Sequence, residues 1–261
     1  MSDSAEILHP TWNVPEHVKA FVSLRKGGYS LGRYEGLNLA THVGDNNEHV
    51  ERNRQLLTKQ FSLPKQPTWL NQTHSTKIVE LLSDQKELAS NHKELVAEAD
   101  GAWTQLNNQV CAVLTADCLP VFFYHHKENK VAVTHAGWRG LLNGIIENTI
   151  TEMTSTPEYL EVWLGPAIGA EKFEVGEEVR AAFCDLDNES EQCFKFVKEV
   201  ENKRYYLADI YQLAKRRLYN SGVTSISGGD FCTASDPRRF FSYRRDGETG
   251  RMVNLIWMSE Q

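Results

Sequence analysis

Hydrophobic positions along this chain fall into short blocks, and the spacing within them alternates between strand-like and helix-like. Residues 18–24 (VKAFVSL) predict a strand ended by Gly27-Gly28. Residues 46–58 are polar, with Val50, Leu56 and Leu57 at helical spacing. Trp69-Leu70 leads into the polar Asn71-Gln-Thr-His74, and residues 77–82 predict another strand. The most polar stretch, residues 83–98, predicts a loop or exposed helix bridging two strand-rich parts. Residues 110–114, 121–124 and 131–134 are β-rich runs of strand length. Leu141, Leu142, Ile145, Ile146, Ile150 and Met153 then predict a helix over 139–153. Residues 160–164 form a strand closed by Gly165-Pro166, and 175–184 and 208–220 read as helices. Residues 223–226 and 252–258 are late strands. There is no repeat, low-complexity tract or linker, so residues 1–261 are expected to form one α/β or α+β domain.

The 28 basic and 35 acidic residues leave a formal charge of −7. That balance argues against nonspecific binding of nucleic acid or an anionic membrane. It does not exclude a small anion held by a few local basic groups. The start of the chain lacks the basic and apolar pattern of a signal peptide, and no run approaches the roughly 20 apolar residues that span a bilayer. A cytoplasmic protein is therefore expected. The five cysteines include no C-x-x-C pair and read as reduced thiols.

His74 in NQTH, Cys118 in TADC and His135 in VTHAGWRG each follow a short apolar run. Two imidazoles and one thiolate at such positions would make a three-ligand zinc site with an open fourth position, as in catalytic zinc centres. They lie too far apart in sequence for a zinc-finger pattern. The same residues also permit a metal-free reading, with Cys118 as nucleophile and His135 as base. Sequence physics leaves these two open. His42 and His49 lie in a polar stretch, and His125-His126 read as a strand end facing water. No His-x-His element supports blue-copper chemistry. Gly137-Trp-Arg139-Gly140 opens a helix, where free N–H groups and the Arg139 guanidinium favour an anion. Gly28-Tyr-Ser30-Leu-Gly32 matches G-x-S-x-G, but no helical stripe follows, so Ser30 is rejected as a hydrolase nucleophile. Phe240-Phe-Ser-Tyr-Arg-Arg245 could clamp a nucleoside; an aromatic core segment with exposed arginines is the favoured reading.

Taken together, NQTHSTK, EADGAWT, LTADCLPVFF, VAVTHAGWRGLLNGI, LGPAIG and FFSYRRDGETGRMVNLIWM resemble the YfiH-like family, also called the laccase-domain or polyphenol oxidase family. The resemblance covers nearly the whole chain. It implies a four-layer α/β/β/α fold with mixed sheets, similar to a toxin-type cysteine hydrolase fold. It implies zinc held by His74, Cys118 and His135, with copper as an alternative metal. It implies phosphorolysis of adenosine, inosine, guanosine and methylthioadenosine by phosphate, with adenosine deamination. Under that reading Arg139 holds phosphate, and Asp117 beside Cys118 shuttles a proton. Asn38, Gln72 and Arg244 are candidates for substrate contact, and Gln72 also for orienting His74. The family usually has a Cys-Tyr pair before E-V-G, where this chain has Lys172-Phe173. The rival functions are a copper-dependent polyphenol oxidase, a metal-free cysteine hydrolase using Cys118 and His135, and a non-enzymatic binding protein with structural zinc.

Overall fold

The computed structural model describes residues 4–82 and 97–260. In chain order the elements are β1 (Ile7–Leu8), β2 (Val18–Ser23), α1 (Asn47–Gln60), β3 (Ile78–Glu80), β4 (Gly101–Thr104), β5 (Cys111–Thr115) and β6 (Leu119–His125). Next come β7 (Lys130–Ala136), α2 (Trp138–Asn143), α3 (Ile145–Met153), β8 (Leu160–Leu164), β9 (Glu174–Gly176) and α4 (Glu177–Leu186). The last are β10 (Phe194–Val200), β11 (Lys203–Ala208), α5 (Ile210–Asn220), β12 (Ser225–Gly228), α6 (Tyr243–Asp246) and β13 (Met252–Met258). They build a mixed α+β protein with three sheets, in the strand orders β1-β2-β13-β5, β10-β11-β9 and β12-β8-β6-β7-β4-β3. The six-stranded sheet mixes directions: β12 runs parallel to β8 and β3 to β4, while β6 and β7 are antiparallel.

Period-two alternation sends successive side chains of a strand to opposite faces, and here both faces are apolar. Met252, Ile256 and Met258 of β13 join Val113 of β5 and Val133 of β7 in one cluster between the two larger sheets. Val253, Leu255 and Trp257, the alternate residues, pack with Phe21 and with Leu57 of α1. Leu119, Val121 and Phe123 of β6 meet Ile146 and Ile150 of α3 and Leu213 of α5 on the far face of the six-stranded sheet. Phe122 and Trp163, both fully buried, pack with their rings tilted at 58° and 5.2 Å between centroids. Each such side chain contributes roughly 1.5–3 kcal/mol of burial. α1 is capped by Asn46, whose side chain accepts from Glu48 N at 2.8 Å.

Several expectations need correction. The helix over 139–153 is two helices, because Gly144 has φ +99° and ends α2 in the left-handed region. Residues 174–176 are a strand against β11, so α4 starts only at Glu177. The 83–98 segment lies outside the described residues over 83–96. His125 does not face water: it is fully buried, and only His126 is exposed. Its Nδ1 accepts from Glu128 N at 2.9 Å, and its Nε2 lies 3.0–3.1 Å from Thr154 Oγ1, Thr156 Oγ1 and Thr156 O. Ser30 is also buried, with its hydroxyl donating to Asp45 at 2.6 Å, which fits a structural serine. No described helix is long and apolar enough to cross a membrane.

Candidate active site

Strand register brings the site together. β4 pairs with β7 so that Gly101 opposes Thr134, and His135 N donates to Asp100 O at 2.6 Å just beyond that pair. β6 pairs with β7 so that Leu119 opposes Ala136, which sets Cys118 against Gly137. β3 runs beside β4, and Asp100 N donates to Lys77 O at 2.9 Å, anchoring the loop that carries His74. His135 thus lies within β7, Cys118 between β5 and β6, and His74 in a loop ahead of β3.

The metal-binding atoms of His74, Cys118 and His135 all lie within 4.8 Å of one another. His74 Nε2 is 3.9 Å from Cys118 Sγ, and the two imidazoles stand edge to face at 4.8 Å. A Cβ on Gly137 would come within 2.9 Å of His74 Cδ2 and 3.0 Å of Cys118 Sγ. Only a residue without a side chain leaves the centre of this triangle clear. Soft sulfur with two imidazoles is a donor set that suits a borderline cation such as zinc or copper, and three donors leave a position open. Among the described residues, no other group of three or more His, Cys, Asp or Glu side chains is arranged to hold a metal.

Asp100 organises the two imidazoles. It is fully buried, and its Oδ1 accepts from His135 Nδ1 at 2.8 Å and from His74 N at 3.0 Å. Its Oδ2 accepts from Thr73 N at 3.2 Å, Ser75 N at 2.6 Å and Ser75 Oγ at 2.7 Å. Burial opposes its charge, but the His135 and Ser75 hydrogen bonds outweigh that and hold its carboxyl below the usual range. With Nδ1–H given to a carboxylate, His135 presents the Nε2 lone pair to the triangle. His74 sits at φ +59°, a left-handed conformation that the Asp100 bonds to its own and flanking N–H groups hold in place.

Cys118 and His135 shift each other. Burial alone would raise the thiol, but the charge and hydrogen bonds of His135, with those of His74, bring it down to about 6. Burial would lower His135, but Cys118 and Asp100 raise it to about 9. Without a cation the pair is a thiolate and an imidazolium; a cation would replace the imidazolium proton.

The triangle lies in a cavity of about 460 Å³. Trp138, Ile168, Phe173 and Tyr243 give it apolar and aromatic walls. Arg139, Arg244, Arg251 and His42 also line it. Arg139 lies over the Trp138 ring at 4.3 Å, and Arg244 donates to Lys172 O at 3.0 Å. Asp117 is in the wall with φ +86°, and its carboxylate accepts from Thr233 Oγ1 at 2.5 Å, Ser242 Oγ at 3.0 Å and Arg244 N at 2.6 Å. Gln72 lines the cavity too, but its amide is paired both ways with the backbone of Leu114. It does not orient His74; Asp100 fills that place. Asn38 is not in the wall. It is fully buried, and its amide serves Ala40, Asp45 and Arg251 N. Phe240 and Phe241 are core residues with Arg244 exposed, as favoured, but Arg245 is half-buried and donates to Thr233 O and Phe240 O, and Tyr243 and Arg244 line the cavity.

Asp100, Arg251 and His42 were not among the expected site residues. Asp100 stands inside EADGAWT and Arg251 inside GETGRMVNL, two of the segments that carry the resemblance.

A family model described as multi-copper polyphenol oxidoreductase laccase matches residues 19–259. The chain belongs to this laccase-like family. A Haemophilus influenzae member named purine nucleoside phosphorylase is 45% identical over 97% of this chain and 99% of its own length. An Escherichia coli K12 member, purine nucleoside phosphorylase YfiH, is 45% identical over the same shares of the two chains. A crystal structure of a Neisseria meningitidis protein of family DUF152 superposes with a TM-score of 0.86 at 43% identity, covering 97% of this chain and 99% of that one. The laccase-like family model and the phosphorylase-named relatives thus meet on one chain.

Proposed function

We propose that this family member is a zinc-dependent purine nucleoside phosphorylase. It would act on adenosine, inosine, guanosine and S-methyl-5′-thioadenosine with phosphate, and would deaminate adenosine. The observation that carries the reading is the His74–Cys118–His135 triangle, set in a cavity whose walls are aromatic and whose lining includes three arginines. Relatives named purine nucleoside phosphorylase support it. We also read the two larger sheets, packed face to face with helices on their outer faces, as the centre of a four-layer α/β/β/α arrangement.

His74, Cys118 and His135 would hold the cation, which when bound would supply Lewis-acid polarisation of an oxygen in the cavity. Phe173, Tyr243 and Trp138 would flank the flat purine and exclude water from it. Phosphate attack at C1′ needs an oxyanion held against a sugar that gains positive charge, and Arg139 and Arg244 answer to that need. Asp117 fits a positioning role better than a proton shuttle, since both its oxygens already accept hydrogen bonds. It holds the turn that presents Cys118 and the backbone of Arg244.

Incubation with adenosine and phosphate, followed by chromatography, tests the proposal. Adenine, ribose 1-phosphate and the deamination product inosine are expected, with ribose 1-phosphate equal to adenine plus any hypoxanthine formed from that inosine. No phosphate-dependent product from any of the four nucleosides would refute it. The thiolate–imidazolium pair favours one rival, a metal-free cysteine hydrolase. Protein purified without chelator and holding under about one-tenth equivalent of metal would favour that rival over a three-donor site. The family description favours another, a copper-dependent phenol oxidase. Copper in the protein as purified, with phenol oxidation and no phosphorolysis, would favour it; oxidation only after added copper, with none for the zinc form, would mark metal replacement.

A further inference from the structure

Arginine pairing across the fold is uneven. The half-buried arginines lie within ion-pair distance of a carboxylate: Arg180 of Glu177, Arg216 of Asp187, Arg217 of Glu147 and Arg245 of Asp246 are examples. Among the described residues Arg251 is the one half-buried arginine that has none. Its Nη1 donates to the carbonyls of Thr249 at 2.7 Å and Gly250 at 3.1 Å. Those two bonds orient the guanidinium, and no described residue takes a hydrogen bond from Nε or Nη2. A guanidinium is planar and carries its donors in a fork, so donors left over present a ready-made seat for an oxyanion.

The surroundings are arranged in the same sense. Arg251 lines the cavity that holds the metal triangle, as do Arg139 and Arg244, which also lack a carboxylate within ion-pair distance. Cys118 and Asp117 are the anionic groups whose charges act most on Arg251. Asp117 is engaged by three donors, and the charge of Cys118 would be spent on a bound cation. His42 faces the same space, and after burial the charges of Arg251 and Arg54 hold its pKa below the ordinary value. In a chain of net charge −7, a half-buried cation beside further cations is completed by an anionic ligand.

We infer that Arg251 is the anchor of an inorganic phosphate subsite in this cavity, with Arg139 and Arg244 closing on the same anion. The inference rests on the phosphorolysis reading and extends it to a residue and a co-substrate. In the step served, an oxygen of monohydrogen phosphate forms the bond to C1′. The C1′–N9 bond breaks with its electron pair going to the purine, and the phosphate proton ends on the purine. Arg251 holds the entering oxyanion near the metal triangle, so its loss weakens phosphate more than nucleoside.

The test uses zinc-loaded wild type, Arg251→Gln and Arg251→Lys, with phosphate varied at saturating inosine. Arg251→Gln is expected to raise the KM for phosphate by about tenfold or more, the size of a lost charge-assisted hydrogen bond. The KM for inosine should move by less than about threefold on the same scale. Arg251→Lys keeps the charge without the fork and should fall between the two. An unchanged phosphate KM in Arg251→Gln overturns the inference, as does an equal rise in both KM values. Calorimetric titration of zinc-loaded protein with inorganic phosphate separates the inference from the reading beneath it. Wild type that binds phosphate through Arg251 yet turns over no nucleoside refutes phosphorolysis and leaves the subsite standing. If Arg251→Gln does not fold, the titration of Arg251→Lys decides: wild-type phosphate affinity there overturns the subsite, and weaker affinity supports it.

Discussion

His135 Nδ1 and the Asp100 carboxylate meet at 2.8 Å, and the same carboxylate takes the N–H groups of Thr73, His74 and Ser75. One buried anion therefore fixes the tautomer of one imidazole and the backbone of the other. Asp100→Asn keeps the size but removes the charge and half the acceptor capacity. It is expected to weaken zinc binding by about 10- to 100-fold, the usual effect of losing a partner of a ligating histidine. Competition with a coloured chelator measures this without reference to turnover. Affinity equal to wild type would mean that Asp100 serves only the fold.

Gly137 has φ −62°, a conformation open to any residue, so Gly137→Ala carries no backbone penalty. Its effect is steric, because the new methyl would lie 2.9 Å from His74 and 3.0 Å from Cys118. The variant should fold with a wild-type near-ultraviolet spectrum and lose zinc affinity by at least about tenfold, through side chains forced from their rotamers. Stoichiometric zinc held as tightly as in wild type would show that the triangle opens freely.

Zinc uptake should depend on pH in a way set by the Cys118–His135 pair. The thiol is brought down to about 6, so it is already ionised at neutral pH. The imidazole is raised to about 9, so the metal-free site carries one proton there. A cation must displace that proton, and below pH 6 it must displace the thiol proton too. Between about pH 7 and 9, apparent affinity should rise about tenfold per unit, and below 6 the slope should steepen as further ligand protons have to be displaced. Calorimetry at pH 7 in buffers of different ionisation enthalpy should detect release of about one proton per zinc. Release of none would contradict the thiolate–imidazolium assignment.

Cys118→Ala removes the single sulfur of the triangle while leaving the three apolar clusters intact. Phosphorolysis should fall to background together with zinc content, and cooperative unfolding should persist. Background activity with full zinc content would point to a nucleophilic thiol, and full activity would remove Cys118 from the site.

His74, Cys118 and His135 were legible in the sequence because their side chains are the ones that hold soft or borderline cations, and each follows a short apolar run. β13 was legible over its full length, since six of its seven residues are apolar, which fits a strand buried on both faces. Asp100 was not, because a lone aspartate ahead of a four-residue strand looks like ordinary turn chemistry. Its role depends on the β4–β7 register, which no local spacing encodes. Arg251 was hidden for a related reason: a missing partner is a property of the folded chain. The β10–β11 hairpin escaped notice because β10 is exposed nearly throughout and its apolar and charged residues do not alternate strictly. Gly144 was read through, since one glycine within a good helical stripe costs only about 1 kcal/mol and does not by itself announce a left-handed break.

The buried polar knot at the far end of β6 gives the last prediction. Nδ1 of His125 accepts from Glu128 N, so the ring proton must lie on Nε2, where Thr154 and Thr156 oxygens receive it. The ring is shut off from water. His125→Ala leaves the Glu128 N–H without its acceptor, takes one partner from the threonine cluster and opens a cavity. It should lower stability by about 2–4 kcal/mol in urea unfolding. Because His125 closes the opposite end of β6 from Cys118, zinc affinity should stay at the wild-type value. A loss of zinc affinity in a still-folded variant would reveal coupling along β6 that the separate hydrogen-bond networks do not contain.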